Sequence, residues 1–146
     1  MKKIVSILLV CLILTSMSAF ASSGEVIIDG NTVEIAEGLG SVTEVEGVVF
    51  IPVRFILEHF GYQVEWADKE QLVMAADSLG AMAVLQVDNS LLFFTGADGE
   101  GKISMEKAMF LNNEQGRNYI PASAVAQLFG YKLSLDEETD TIMFTK

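Results

Sequence analysis

A sixteen-residue phrase recurs 69 positions further along this chain, and it limits the folds available more than any other feature. Gly47-Val-Val-Phe-Ile-Pro-Val-Arg-Phe-Ile-Leu-Glu-His-Phe-Gly-Tyr62 returns as Gly116-Arg-Asn-Tyr-Ile-Pro-Ala-Ser-Ala-Val-Ala-Gln-Leu-Phe-Gly-Tyr131. Gly, Ile, Pro, Phe, Gly and Tyr keep their places, and Phe50 becomes Tyr119. What repeats is the punctuation of a structural unit, which marks duplication of a fold element rather than of a reaction centre. A catalytic site is seldom written twice in so short a chain.

The first copy reads as strand, helix and stop. Val48 to Ile51 are apolar and extended in pattern, and Pro52 takes the place of a first helical residue, where a missing N–H costs nothing. Val53, Ile56, Leu57 and Phe60 then fall on one helical face, and Gly61 ends the helix. In the second copy Pro121 opens, Ala122, Val125, Ala126 and Phe129 form the stripe, and Gly130 closes. Hairpins flank both copies. Glu25 to Ile35 turn at Asp29-Gly30, Gln63 to Trp66 return as Leu72 to Ala76, and Lys132 to Leu135 return as Thr141 to Thr145. Ala81 to Val87 and Ser90 to Thr95 form another pair, which matches the N-terminal hairpin, and Gly96 to Gly101 read as an inserted surface loop. The expectation is an α+β protein: a duplicated unit of antiparallel β-hairpins packed on short α-helices, with units at about 25–79 and 80–146.

The N-terminus carries a different signal. Lys2 and Lys3, an apolar run from Ile4 to Met17, and Ala19-Phe20-Ala21 make the three parts of a secretory signal peptide over 1–21, cleaved after Ala21. The run is about 14 residues, short of the roughly 20 that span a bilayer. Cys11, the single cysteine, falls inside it, so the exported chain 22–146 has no thiol chemistry. Without Lys2 and Lys3, seven basic residues face 20 acidic ones, a net charge of −13. That balance repels nucleic acid and anionic lipid. The expected setting is extracellular, with no membrane contact after cleavage.

Phe50-Ile-Pro-Val-Arg-Phe55, Glu58 and Phe60-Gly-Tyr-Gln-Val-Glu-Trp66 together resemble the signature of the copper amine oxidase N-terminal-like, or stalk, domains of exported Gram-positive proteins. The resemblance covers roughly Glu25 to Lys146. It implies an accessory module in which a twisted antiparallel sheet wraps a helix, outside the catalytic part of the oxidase. The second copy departs from the signature: Ser123 stands for Arg54, and Leu135 for Trp66. Copper itself is not expected, nor any other cofactor. The chain has one histidine, His59, and Asn118-Tyr119 leads into Ile120-Pro121 rather than an acidic residue.

Folding punctuation therefore accounts for Pro52, Gly61, Pro121 and Gly130, and the residues open to a specific role are Arg54, Tyr62 and Trp66. Arg54 either pairs with Glu58 one turn on or fixes the helix to a sheet carboxylate or carbonyl; the signature favours the second. Tyr62 and Trp66 either pack or offer flat rings to a sugar. His59 reads as a helix-flank residue. Asp136 to Asp140 are similar to the start of a calcium loop, but Thr141 replaces its glycine and the twelfth-position Glu is missing, leaving a solvated turn. Ala76-Asp-Ser-Leu-Gly80 is a chance likeness to a nucleophile elbow. The leading expectation is a non-catalytic exported spacer, or a binder of cell-wall or extracellular polysaccharide. Alternatives are a protein-interaction domain, as a homodimer or on another envelope protein, and a small hydrolase using Glu65 and Glu46. The oligomeric state stays open.

Overall fold

A computed structural model describes residues 24–146. The expected leader, its cleavage point and Cys11 lie outside the described residues. Thirteen strands and two helices follow in order: β1 (Glu25–Ile28), β2 (Asn31–Val33), β3 (Thr43–Val45), β4 (Val48–Pro52), α1 (Val53–His59), β5 (Gln63–Ala67), β6 (Leu72–Ala76) and β7 (Met82–Gln86). Then come β8 (Leu91–Gly96), β9 (Gly99–Ser104), β10 (Phe110–Asn112), β11 (Arg117–Pro121), α2 (Ala122–Phe129), β12 (Lys132–Asp136) and β13 (Thr141–Thr145). The architecture is α+β and mostly strand. Among the described residues no helix is long and apolar enough to cross a membrane.

The strands form three sheets, ordered β12-β13-β1-β2, β10-β11-β4-β3 and β5-β6-β7-β8-β9. Each draws strands from both halves of the chain. The two copies of the repeated phrase meet in the middle sheet, where β4 and β11 run antiparallel with Ile51 opposite Ile120 and Pro52 opposite Tyr119. Equivalent isoleucines thus face each other, both fully buried. The outer sheets repeat an order, hairpin beside hairpin, but not a polarity. β1 joins β13 in parallel, whereas β6 and β7 are antiparallel. The short Asp77–Ala81 link forces β7 to reverse, while β1 and β13 come from opposite ends of the chain and carry no such constraint. The N-terminal hairpin and the 82–96 hairpin are therefore not interchangeable.

Two details differ from the sequence reading. Pro52 and Pro121 are the last strand residues and cap positions, with φ/ψ of −59/127° and −56/131°, and the helices begin one residue later. Proline's fixed φ suits both conformations, so ψ decides. Gly96 to Gly101 are not a loop. Gly96 pairs with Gly99 and the chain turns straight back as β9. Glycine there serves a ring rather than a turn: a Cβ on Gly101 would lie 2.7 Å from the Phe94 ring, which covers the bare backbone.

The helix stripes are close to expectation. Val53, Phe55, Ile56 and Leu57 are buried on α1, and Ala122, Ala124, Val125 and Ala126 on α2. Phe60 and Phe129 are only partly buried, packed against the edge of that core. Gly61 and Gly130 turn the chain at φ +86° and +70°, and the backbone N–H groups of Tyr62 and Tyr131 donate back to Leu57 and Ala126. That turn brings equivalent aromatics together: Phe60 stacks on Phe129 with centroids 4.1 Å apart, Phe60 meets Tyr131 at 5.4 Å, and Tyr62 meets Phe129 at 5.5 Å.

Candidate functional site

The three residues singled out from the sequence do not stay together. Tyr62 goes to the aromatic seam just described, half-buried against Phe129. Burial, with the Asp77 charge second, pushes its phenol above the ordinary value. Tyr131, its counterpart, donates its hydroxyl to Asp29 Oδ2 at 3.0 Å, while the Lys146 ammonium sits 4.2 Å from its ring centroid. The hydrogen bond to Asp29, then burial and the Asp29 charge, raise the Tyr131 phenol as well. Because the folded-state value lies above the unfolded one, the stability it contributes is present below about pH 10 and is lost as pH rises through the folded value. Melting temperatures from pH 8 to 11.5 should fall less steeply for Tyr131→Phe than for wild type. Equal slopes would remove Tyr131 from that account.

Arg54 and Trp66 do converge. They share with Glu65, Arg117 and Asn118 a cleft of about 190 Å³ where the start of α1 lies between β5, an outer strand of its sheet, and β11. Arg54 is the first residue after the buried Val53, so the helix turn carries it outward. Its Nη1 donates to Glu58 Oε1 at 3.4 Å, with both side chains well exposed. The ion pair one turn on is therefore formed, and the sheet anchor favoured by the sequence is not. A pair this exposed contributes about 0–1 kcal/mol. Trp66 stands on β5 opposite Val73, half-buried, and its indole N–H donates to Asp68 Oδ1 at 3.3 Å.

The cleft also holds residues the sequence reading does not single out. Arg117 Nε and Asn118 Oδ1 are shielded from solvent and have no hydrogen-bond partner among the described residues. A buried polar atom left so costs about 1–3 kcal/mol. A signal for them exists in the sequence. Arg117 and Asn118 stand where the first copy has Val48 and Val49, so they too are differences between the copies. They lie on the strand before the helix, ahead of the stretch that carries Arg54 and Trp66. The two arginines of the chain, Arg54 and Arg117, and its single tryptophan thus line one cleft in a strongly acidic protein.

Other candidates resolve into structural roles. Glu65 lines the cleft, but Glu46 does not; it sits in the β3–β4 turn at φ +51° and pairs with Lys107. The Lys107 hydrogen bond and charge hold the Glu46 carboxyl below its ordinary value, the opposite of what a general acid needs. Asp136 Oδ1 accepts the backbone N–H groups of Glu138 and Thr139, so that acidic turn is occupied with itself. Asp77 does the same for Leu79 and Ala81. Of the adjacent phenylalanines, Phe94 turns inward over Gly101 and Phe93 points out, 49% exposed, between Val84 and Lys102.

Comparison with known proteins adds the family. The profile described as the copper amine oxidase N-terminal domain matches residues 24–144. The chain belongs to that family. Such domains are non-catalytic N-terminal modules. UDP-N-acetylmuramoylalanine–D-glutamate ligases of Shigella boydii serotype 4 (strain Sb227) and Shigella sonnei (strain Ss046) are each 30% identical to this domain over 109 residues. The match takes in 73% of this chain and spans only 24% of either ligase. No solved structure matches.

The family's name raises copper, and the side chains of this copper amine oxidase N-terminal domain do not fit it. His59, the only histidine, is exposed at the end of α1 with its ring edge-on to Phe60. Among the described residues no three His, Cys, Asp or Glu side chains come together as a ligand set. One imidazole cannot satisfy a metal that draws on several.

Proposed function

We propose that this domain is a non-catalytic module of the cell envelope, exported by the leader at 1–21, which binds wall or extracellular polysaccharide through its cleft. The residues shared between two related units, about 25–79 and 80–146, are used for folding. One observation carries the reading: Arg54 and Trp66, which the second copy lacks, line a single cleft together with Arg117. Charge for recognition and a flat ring for stacking are what a polymer-binding surface needs. The likeness to the muramoyl ligases spans too small a part of those enzymes to bring their activity here.

Retention on purified peptidoglycan and wall polysaccharide tests the proposal. The wild-type protein should be held at low salt, and Arg54→Met should be washed through. No retention on either polymer would leave the spacer role alone, and equal retention of the variant would move binding away from the cleft.

A further inference from the structure

The cleft carries a more specific inference, which rests on the binding role just proposed. We propose that its ligand is a sugar residue bearing a carboxylate. A guanidinium presents a planar fork that matches a carboxylate with two parallel hydrogen bonds. Both arginines of the chain line this cleft. Arg117 forms no ion pair among the described residues, and its Nε–H is unpartnered. Among the described residues Arg54 is held only by the exposed Glu58 contact at 3.4 Å, which a ligand carboxylate can displace. Neither guanidinium is thus committed to a buried carboxylate, and the Arg54 contact is easily released.

Two further groups make the ligand a sugar rather than a small acid. Trp66 lines the cleft, half-buried against the core with its N–H tied to Asp68, and an indole face is what covers the C–H face of a pyranose. Glu65 on the same rim is an acceptor for hydroxyl hydrogen bonds. The acidic surroundings work against densely charged ligands. With a net charge of −13 outside the leader and Glu65 at the rim, a dianionic group is repelled more than a single carboxylate is.

Trp66 is the only tryptophan, so its fluorescence reports this site directly. Titration with trigalacturonic acid should give a saturable change. The methyl ester of the same trisaccharide, which keeps the rings and hydroxyls but loses the charge, should bind about tenfold more weakly. Arg117→Met and Arg54→Met should each weaken the acid about as much and leave the ester unaffected. Sodium acetate and inorganic phosphate should give no saturable change. The inference is overturned if the ester binds as tightly as the acid, if phosphate alone saturates the signal, or if both arginine variants titrate like wild type. Should Arg117→Met fail to fold, the exposed Arg54 carries the test. Retention on wall polymer without any response to trigalacturonic acid would defeat the sugar-acid assignment while sparing the binding role. Loss of both would end both.

Discussion

Ile120→Ala is expected to destabilise the protein by about 3 kcal/mol, within the range of roughly 2–5 kcal/mol for truncating a buried isoleucine. The side chain is fully buried, and its partner across the β4–β11 ladder is the equivalent Ile51, also fully buried. Both helices pack on these two strands, so a cavity here opens where the copies of the phrase meet. The paired strands and the two helices packed on them limit collapse into the gap, which keeps the cavity contribution large. Native domains hold only about 5–15 kcal/mol in total, so the melting temperature should drop by about 10 °C. Leu79→Ala, at a residue 92% exposed, is the control and should change stability by no more than about 0.5 kcal/mol. Urea unfolding gives both values. A cost near that of the control would show that the core is centred elsewhere.

Gly40→Ala should be nearly as damaging, at about 2–4 kcal/mol, for a reason in the backbone and not in the lost volume. Gly40 has φ +97°, which L side chains rarely adopt. An added Cβ would also lie 2.6 Å from the Tyr119 hydroxyl and 3.1 Å from Pro52 Cγ. Tyr119 cannot swing aside cheaply, since it is buried, stacked on Phe110 at 5.2 Å, and donates its hydroxyl to Gln115 at 2.5 Å. Gly38→Ala separates the two causes. Gly38 shares the positive φ, at +83°, but has nothing within 4 Å, so it should lose only about 1–2 kcal/mol. Adding Tyr119→Phe to Gly40→Ala should restore about 1 kcal/mol by removing the clashing oxygen. If the two glycine variants unfold at the same denaturant concentration, the close approach to Tyr119 has no energetic weight.

How far such features can be read in advance depends on their range. The Asp29-Gly30 hairpin, both helices and the Gly61 and Gly130 stops are local, set by turn chemistry and helical periodicity within a few residues, and the sequence reading places them within a position or so. β9 escapes that reading because its glycines look like loop residues until the Phe94 ring is in place over Gly101. The three-residue strands β3 and β10 escape it because so short a segment has no period to read. In the cleft, Arg54 and Trp66 are legible because they break the repeat. Arg117 and Asn118 break it too, but their meeting with Trp66 depends on β11 coming to lie beside α1 and β5. The favoured anchor for Arg54 fails for a related reason: a long side chain four residues from a carboxylate on the same helix takes the near partner.

By itself the sequence determined a repeated strand–proline–helix–glycine unit, because those conformations follow from fixed φ, missing Cβ atoms and apolar spacing. It also determined a strongly acidic composition without the imidazoles for copper. Only the tertiary structure decided that the two copies pair with each other through Ile51 and Ile120, and that Tyr62 belongs to an aromatic seam. It alone placed Arg117 beside Arg54 and Trp66. These are contacts between residues far apart in the chain, where burial of apolar surface chooses one arrangement among many that satisfy the local rules equally well.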